Sequence, residues 1–426
     1  MASIPGGQYN AFAQGGQQVH VVLTPDGSNL PPPIAGEFNL EVITGGIIPN
    51  GLPAGYQGVA VLSDDGHTID MAYGDWALQV NGSATVYGGA GSDTIYGGDG
   101  PNMIFGGSGA DYIVAGSGQT TIQGGNGPAT IQGGSGFDTI YGGNGRDLII
   151  GGSGTELIVG GNGKDTIIGG SGHDTIYAGH GGDLITGGSG TSLIFAGDGP
   201  DTIIGGSGPT TIYGGLGPAT ITGGSGPTTV YGGDGRDVIT AGSGPTLVIG
   251  GNGKDTITAG SGSDTIFAGH GGDLIMGGSG QALIFGGDGP DTVFGGSGPD
   301  TIYGGLGALL VHGGSGAELV VGGGANDTIF GGSGPDTIDG GSGHNLLYAG
   351  SGGTVFQDSG VRGQDTVVGF NQAHGDTIDF AGENAATIDH VVATATVDGG
   401  NTTIALPDGS TMTLVGITHI DSTFFH

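Results

Sequence analysis

The residues of this chain that could do chemistry are carboxylates, and they recur on a regular step. A nine-residue frame runs from Ala84 to Thr354 through 31 consecutive positions without a slip, and its acidic position is Asp sixteen times and Glu twice. Repeats nine apart alternate between two sides, so positions on the same side recur every 18 residues. One side carries Asp93, Asp111, Asp147, Asp165, Asp183, Asp201, Asp237, Asp255, Asp273, Asp291 and Asp327, is interrupted by Ala129, Ala219 and Leu309, and ends on Asn345. The other carries Asp138, Glu156, Asp174, Asp264, Asp300, Glu318 and Asp336 among Asn102, Ala282 and a set of Ser and Thr. Carboxylates at a constant step form a ladder of hard oxygen donors, the donor type that suits a hard cation.

Short strands joined by glycine turns must position this ladder. Two residues after each acidic position sits an aliphatic residue: Val86, Ile95, Ile104, Ile113 and onward to Leu347, with Phe356 the one departure. A triplet such as Thr94-Ile95-Tyr96 is a strand whose middle residue faces inward and whose neighbours face out. The Gly-rich stretch that follows turns the chain, with glycine supplying positive φ. Two strands and two turns make an 18-residue coil. No single coil buries a core, but stacked coils do. About fifteen such coils, stacked at ~4.8 Å each, predict a rod roughly 70 Å long.

Composition agrees. Of 426 residues 109 are Gly, without a collagen triplet, and 39 acidic residues face 5 basic ones for a net charge of −34. That charge repels nucleic acid and anionic membranes. It does not signal disorder, because 35% of residues are hydrophobic and they keep the period. There is no Cys, so no disulfide or thiolate metal site exists. No apolar run approaches the ~20 residues of a membrane span. The start, Met1-Ala2-Ser3-Ile4-Pro5, shows no basic region leading into an apolar core, so a cleavable secretory signal is not evident.

The pattern Gly-Gly-x-Gly-x-Asp-x-U-x, with U aliphatic, is carried by Gly161-Asn162-Gly163-Lys164-Asp165-Thr166-Ile167-Ile168 and by Gly170-Ser171-Gly172-His173-Asp174-Thr175-Ile176-Tyr177. It resembles the RTX (hemolysin-type calcium-binding) nonapeptide over about two-thirds of the chain. The resemblance implies an all-β fold, a right-handed parallel β-helix or β-roll. It also implies multiple Ca²⁺ ions between successive turns, held by the Asp carboxylates and turn carbonyls. The chemistry fits, since Ca²⁺ takes six to eight hard oxygens.

The two sides are unequal. If each ion draws on two stacked turns, the first side offers seven Asp–Asp pairs: 93/111, 147/165, 165/183, 183/201, 237/255, 255/273 and 273/291. The second offers four Asp/Glu pairs: 138/156, 156/174, 300/318 and 318/336. This predicts a calcium ladder on the first side and a partly calcium-free second side, where Ser192, Thr210, Thr228 and Thr246 close their turns by hydroxyl hydrogen bonds. Outward strand positions after the Asp-poor loops carry aromatics, from Phe105 and Tyr141 to Phe285 and Tyr303, while the opposite strands carry mostly Val, Ile, Thr and Met. The aromatic column is either support between coils or a contact face. A 90-residue repeat overlies the short one: Arg146 matches Arg236, Lys164 matches Lys254, and His180 matches His270. The basic residues read as local charge relief or as contacts for a neighbour's acidic ladder. The two His read as solvated turn residues.

The chain divides into 1–83, a cap or assembly segment; 84–356, the repeats; and 357–426, a C-terminal cap. In the first, Val21-Val22-Leu23, Phe38–Ile43 and Gly58–Leu62 read as strands, Pro31-Pro32-Pro33 breaks the segment, and Trp76 leads into the first coil. In the last, Asp365-Thr366-Val367 and Asp376-Thr377-Ile378 resemble the segment that caps RTX repeats. A β-hairpin pair follows, with its turn at Pro407-Asp408-Gly409. Asp421–His426 looks like the uncleaved C-terminal signal of type I secretion substrates, which implies that secretion machinery as a partner and an extracellular or cell-surface location.

Searches for catalysis find no His-Glu-x-x-His and no Gly-x-Ser-x-Gly with a partnered base. The glycine loops lack the Lys-Ser/Thr of a phosphate loop. The expectation is therefore a non-enzymatic, secreted calcium-binding protein that folds outside the cell and assembles with copies of itself into a filament, matrix fibre or surface layer. The alternatives are a calcium-dependent adhesin for glycans or a regular surface such as ice, and a polysaccharide-modifying epimerase or lyase.

Overall fold

The computed structural model describes residues 82–425 and the strand at 77–80, and the backbone of residues 7–12, 18–24, 38–43, 58–61 and 67–70. Pro31-Pro32-Pro33, Trp76 and the Met1–Pro5 start lie outside the described residues. The chain falls into two compact units, Met1–Thr211 and Ile212–His426. Each is a parallel β-solenoid, and together they make about 17 turns.

The first unit is two parallel ladders back to back. One stacks Ile95, Ile113, Ile131, Ile149, Ile167, Ile185 and Ile203 in register. The other stacks Val86, Ile104, Ile122, Ile140, Ile158, Ile176 and Ile194. These side chains are at most 1% exposed. Each contributes about 2 kcal/mol from burial, and none could do so in an isolated coil. The second unit repeats the scheme, ending on Leu347 and Val367 in one ladder and on Phe356 and Ile378 in the other.

Coils exceed the expected fifteen because parallel pairing continues past the strict frame at both ends. Upstream, Phe38–Ile43, Gly58–Val61 and Ala77–Val80 pair in parallel in turn. Downstream, Asn345 pairs with Asp365, a step of 20, and Val355 with Thr377, a step of 22. A longer turn changes the spacing but not the pairing, so a count taken at 18 stops early.

Glycine is required where turns of neighbouring coils nest. Gly163 has φ +145°, and a Cβ there would lie 1.5 Å from the carbonyl oxygen of Gly145. No L-residue fits such a position without moving the backbone.

The C-terminal segment contains a helix that the sequence reading took for strand and turn only. Ala385–Thr394 is helical, with the Asn384 side chain accepting from the N–H groups of Ala386 and Thr387. That cap and the two alanines at its start favour a helix over a strand. Beyond it Thr396–Asp398, Asn401–Ala405 and Thr411–Leu414 form the expected antiparallel set. Thr411–Leu414 also pairs in parallel with 364–367, closing one ladder. Phe424 and Phe425 are buried, Phe424 stacking on Phe370 and Phe425 bridging to Ile378.

Candidate functional site

All eighteen carboxylates singled out above are buried, none more than 4% exposed. The turn that precedes each short strand delivers them, and one oxygen has a structural job. The Oδ1 of Asp147 accepts from the N–H of Ala129 at 2.7 Å, Asp165 from Asp147 at 2.8 Å, Asp183 from Asp165 at 2.7 Å and Asp201 from Asp183 at 2.7 Å. The second unit does the same from Asp237 to Asp291. Each of these Asp carboxylates thus clamps the turn one coil before it.

The other oxygen on the first side has nothing to do. The Oδ2 atoms of Asp111, Asp147, Asp165, Asp183, Asp201, Asp237, Asp255, Asp273, Asp291 and Asp327 are buried without a hydrogen-bond partner. A buried, unsatisfied anionic oxygen costs several kcal/mol, and ten of them, five in each unit, call for a cation. The second side differs. There the Oδ2 atoms of Asp138, Asp264 and Asp336 accept from the N–H groups of Gly134, Gly260 and Gly332. Among its carboxylates, oxygens of Glu156, Asp174, Asp300 and Glu318 stay unsatisfied.

Where the second side lacks carboxylates, hydroxyls close the turn. Ser192 donates to the carbonyl of Gly187 at 2.9 Å, Thr210 to Gly205 at 3.1 Å, Thr228 to Gly226 at 3.1 Å and Thr246 to Ala241 at 3.0 Å. No three His, Cys, Asp or Glu side chains converge among the described residues. Any ion held here would therefore combine one or two carboxylates with turn carbonyls, an all-oxygen donor set that fits Ca²⁺.

Electrostatics point the same way. Burial pushes Asp165, Asp255 and Asp291 up to about 6, with neighbouring Asp charges adding to the rise. Burial raises Glu156 and Glu318 too, helped by Asp174 and Asp336, since facing carboxylates can bond only by sharing a proton. The folded state of the metal-free protein therefore favours the protonated acids. The contribution of Asp165, Asp255 and Asp291 to its stability is full below about pH 4 and is lost as pH rises through about 6, and that of Glu156 and Glu318 only as it rises through about 9 and about 8. A cation reverses the sign, because it binds the ionised form. The calcium concentration at which the first-side ladder folds should be flat above about pH 7. It should climb about tenfold per pH unit below about 6 if one proton leaves per ion. Calcium titrations followed by circular dichroism at pH 7 and pH 5 check this; equal midpoints would refute it.

Two buried acids of this type were missed in the repeat count. Asp365 receives the Asn345 amide at 2.8 Å and is pushed up to about 7 by burial. Asp376 receives the Thr354 N–H at 2.9 Å and the Asn371 N–H at 2.8 Å. Both continue the columns after the frame has slipped. The signal was the Asp-Thr-aliphatic triplet, which survives the slip.

The outer surface settles two further readings. The aromatic column is stacked ring on ring: Tyr177 on Phe195 at 4.8 Å and 4°, Tyr213 on Tyr231 at 4.7 Å and 2°, Phe267 on Phe285 at 4.7 Å and 3°. Ring faces are spent on neighbouring coils and mostly edges meet solvent, which supports the inter-coil role. A second column, Phe294, His312, Phe330 and Tyr348, lies on the opposite ladder, where aromatics were not expected. His180 and His270 are exposed and meet Asp198 at 3.2 Å and Asp288 at 2.9 Å. Arg146, Lys164, Arg236 and Lys254 are exposed and form no ion pair among the described residues.

Comparison with known proteins completes the site. The profile of the RTX calcium-binding nonapeptide repeat, four copies long, matches nine windows between residues 87 and 355, beginning with 87–122, 123–158 and 159–194. No curated protein matches the chain. Among solved structures, the chain is similar to the X-ray crystal structure of a hyperactive, Ca2+-dependent, beta-helical antifreeze protein from an Antarctic bacterium. The identity is 20% and the TM-score 0.33, over 73% of this chain and 84% of that one.

Proposed function

From a chain that belongs to the RTX calcium-binding nonapeptide-repeat family, we propose a secreted, non-catalytic structural protein that folds outside the cell as Ca²⁺ fills its first-side ladder and then self-assembles. The observation that carries this reading is the set of ten buried first-side Oδ2 atoms without a partner, five in each unit. In the cell, where free calcium is low, the ladder stays anionic and its self-repulsion opposes folding. Outside, binding energy becomes folding energy. The 421–426 segment serves in this reading as the signal for type I export.

A fold that grows by adding coils suits self-assembly wherever an end strand keeps unpaired backbone groups, and the end segments would direct it. Electron microscopy of purified protein with and without millimolar calcium tests it. Ordered fibres or sheets only in calcium are the expected result. Isolated particles in calcium would sink assembly while leaving calcium-driven folding intact.

A further inference from the structure

The edge of the second ladder is not uniform, and one stretch of it forms a groove. In most coils the strand begins at the acidic position or after it, often behind Pro, as at Pro299-Asp300 and Pro335-Asp336. In Phe137–Asn144, Thr155–Asn162 and His173–His180 the strand starts one residue earlier, so Phe137 pairs with Thr155 and His173 with Thr191. The widened sheet bounds a groove of about 350 Å³ lined by Gln119, Phe137, Thr155 and His173, with Asp138 and Glu156 at its floor.

Three features of the groove define its ligand. Phe137 is 69% exposed and, unlike most aromatics of this ladder, stacks on no other ring among the described residues, so much of the ring is open to solvent. The rim is hydroxyl, amide and imidazole, groups that donate and accept. The lining holds no Lys or Arg, and its acidic floor repels anions. Glu156 is 2% exposed, lines the groove, and faces the carboxyl of Asp174, with which it shares a proton when no metal is bound. The groove thus ends on a carboxyl pair, or on a cation that the pair holds, and either takes a sugar hydroxyl. The carboxylates alone do not demand the groove. The equivalent trio Asp300, Glu318 and Asp336 follows Pro299, Ala317 and Pro335 and has no projecting ring beside it.

We propose that the groove at Gln119, Phe137, Thr155 and His173 is a binding site for a neutral glycan, whose pyranose ring stacks on Phe137 while its hydroxyls bond to the rim. Neighbouring strands lie about 4.8 Å apart, so the four coils that carry these residues offer about 14 Å, room for a short oligosaccharide.

The test uses the full chain, folded in millimolar calcium, on an array of neutral gluco-, galacto- and manno-oligosaccharides and their uronic-acid counterparts. Binding of a neutral oligosaccharide is expected, weakened at least tenfold by Phe137→Ala and retained by Phe137→Trp, with circular dichroism unchanged because the side chain is exposed. His173→Ala should weaken it less. No neutral oligosaccharide bound, a preference for the uronic acids, or binding indifferent to Phe137→Ala would each overturn the proposal. None of these results depends on whether the protein assembles.

Discussion

Excess chelator should abolish the β-sheet circular dichroism of this protein, and millimolar calcium should restore it. The effect should be close to complete across residues 84–356. Ten first-side carboxylates bury an oxygen that no protein group satisfies. Without a cation each must be desolvated as an anion or take up a proton, and at pH 7 both are unfavourable for acids such as Asp165 and Asp255, raised only to about 6. With a cation, one site at a hundred times its dissociation constant adds about 2.7 kcal/mol, and a ladder adds this several times over. Calcium titration by circular dichroism and calorimetry measures it. Full β-structure in chelator would show that the turns and the isoleucine core suffice alone, and the calcium-folding reading would fail.

Replacing Asp165 by Asn should change the sign of its effect with calcium. Asp165 stands between Asp147 and Asp183, with one oxygen clamping the N–H of Asp147 and the other unpaired. An amide can keep the clamp, as Asn345 does for the N–H of Asp327 at 3.0 Å, but it removes the charge. In chelator, with an osmolyte such as trimethylamine N-oxide added to fold the metal-free chain, the variant should be no less stable than the parent, because a buried like charge is gone. In calcium it should lose about 3 kcal/mol and one or two bound ions, since neighbouring turns share the carboxylate. Denaturation curves in both conditions and bound calcium by mass spectrometry read this out. Thr210→Ala on the second side is the comparison, expected to cost about 1 kcal/mol in calcium and no ions. Equal losses for both variants would remove the distinction between the sides.

The sequence alone was enough for the solenoid, because a period of nine with an inward aliphatic and an outward pair admits one kind of stacking. It was enough for the acidic columns, for the hydroxyl closure at Ser192 and Thr210, and for the asymmetry in the number of Asp on each side. These properties repeat, and repetition averages away local ambiguity. What does not repeat was legible only in part. Asp365 and Asp376 belong to the columns, but turns longer by two and four residues hid them. The helix at 385–394 depends on a single cap at Asn384.

Tertiary structure decided how atoms are spent once the coils stack. Only stacking shows that one oxygen of each first-side Asp from Asp111 to Asp327 clamps the previous turn while the other is stranded, since the clamp joins residues 18 apart. Stacking likewise turned the aromatics face to face at the coil spacing, which uses up the faces that a contact surface would need. It left Phe137 apart, because Gln119 and Thr155, not rings, occupy its positions in the adjoining coils. A period places residues in columns; the distance between columns and the direction of each side chain follow from packing, which is a property of neighbours and not of position in the chain.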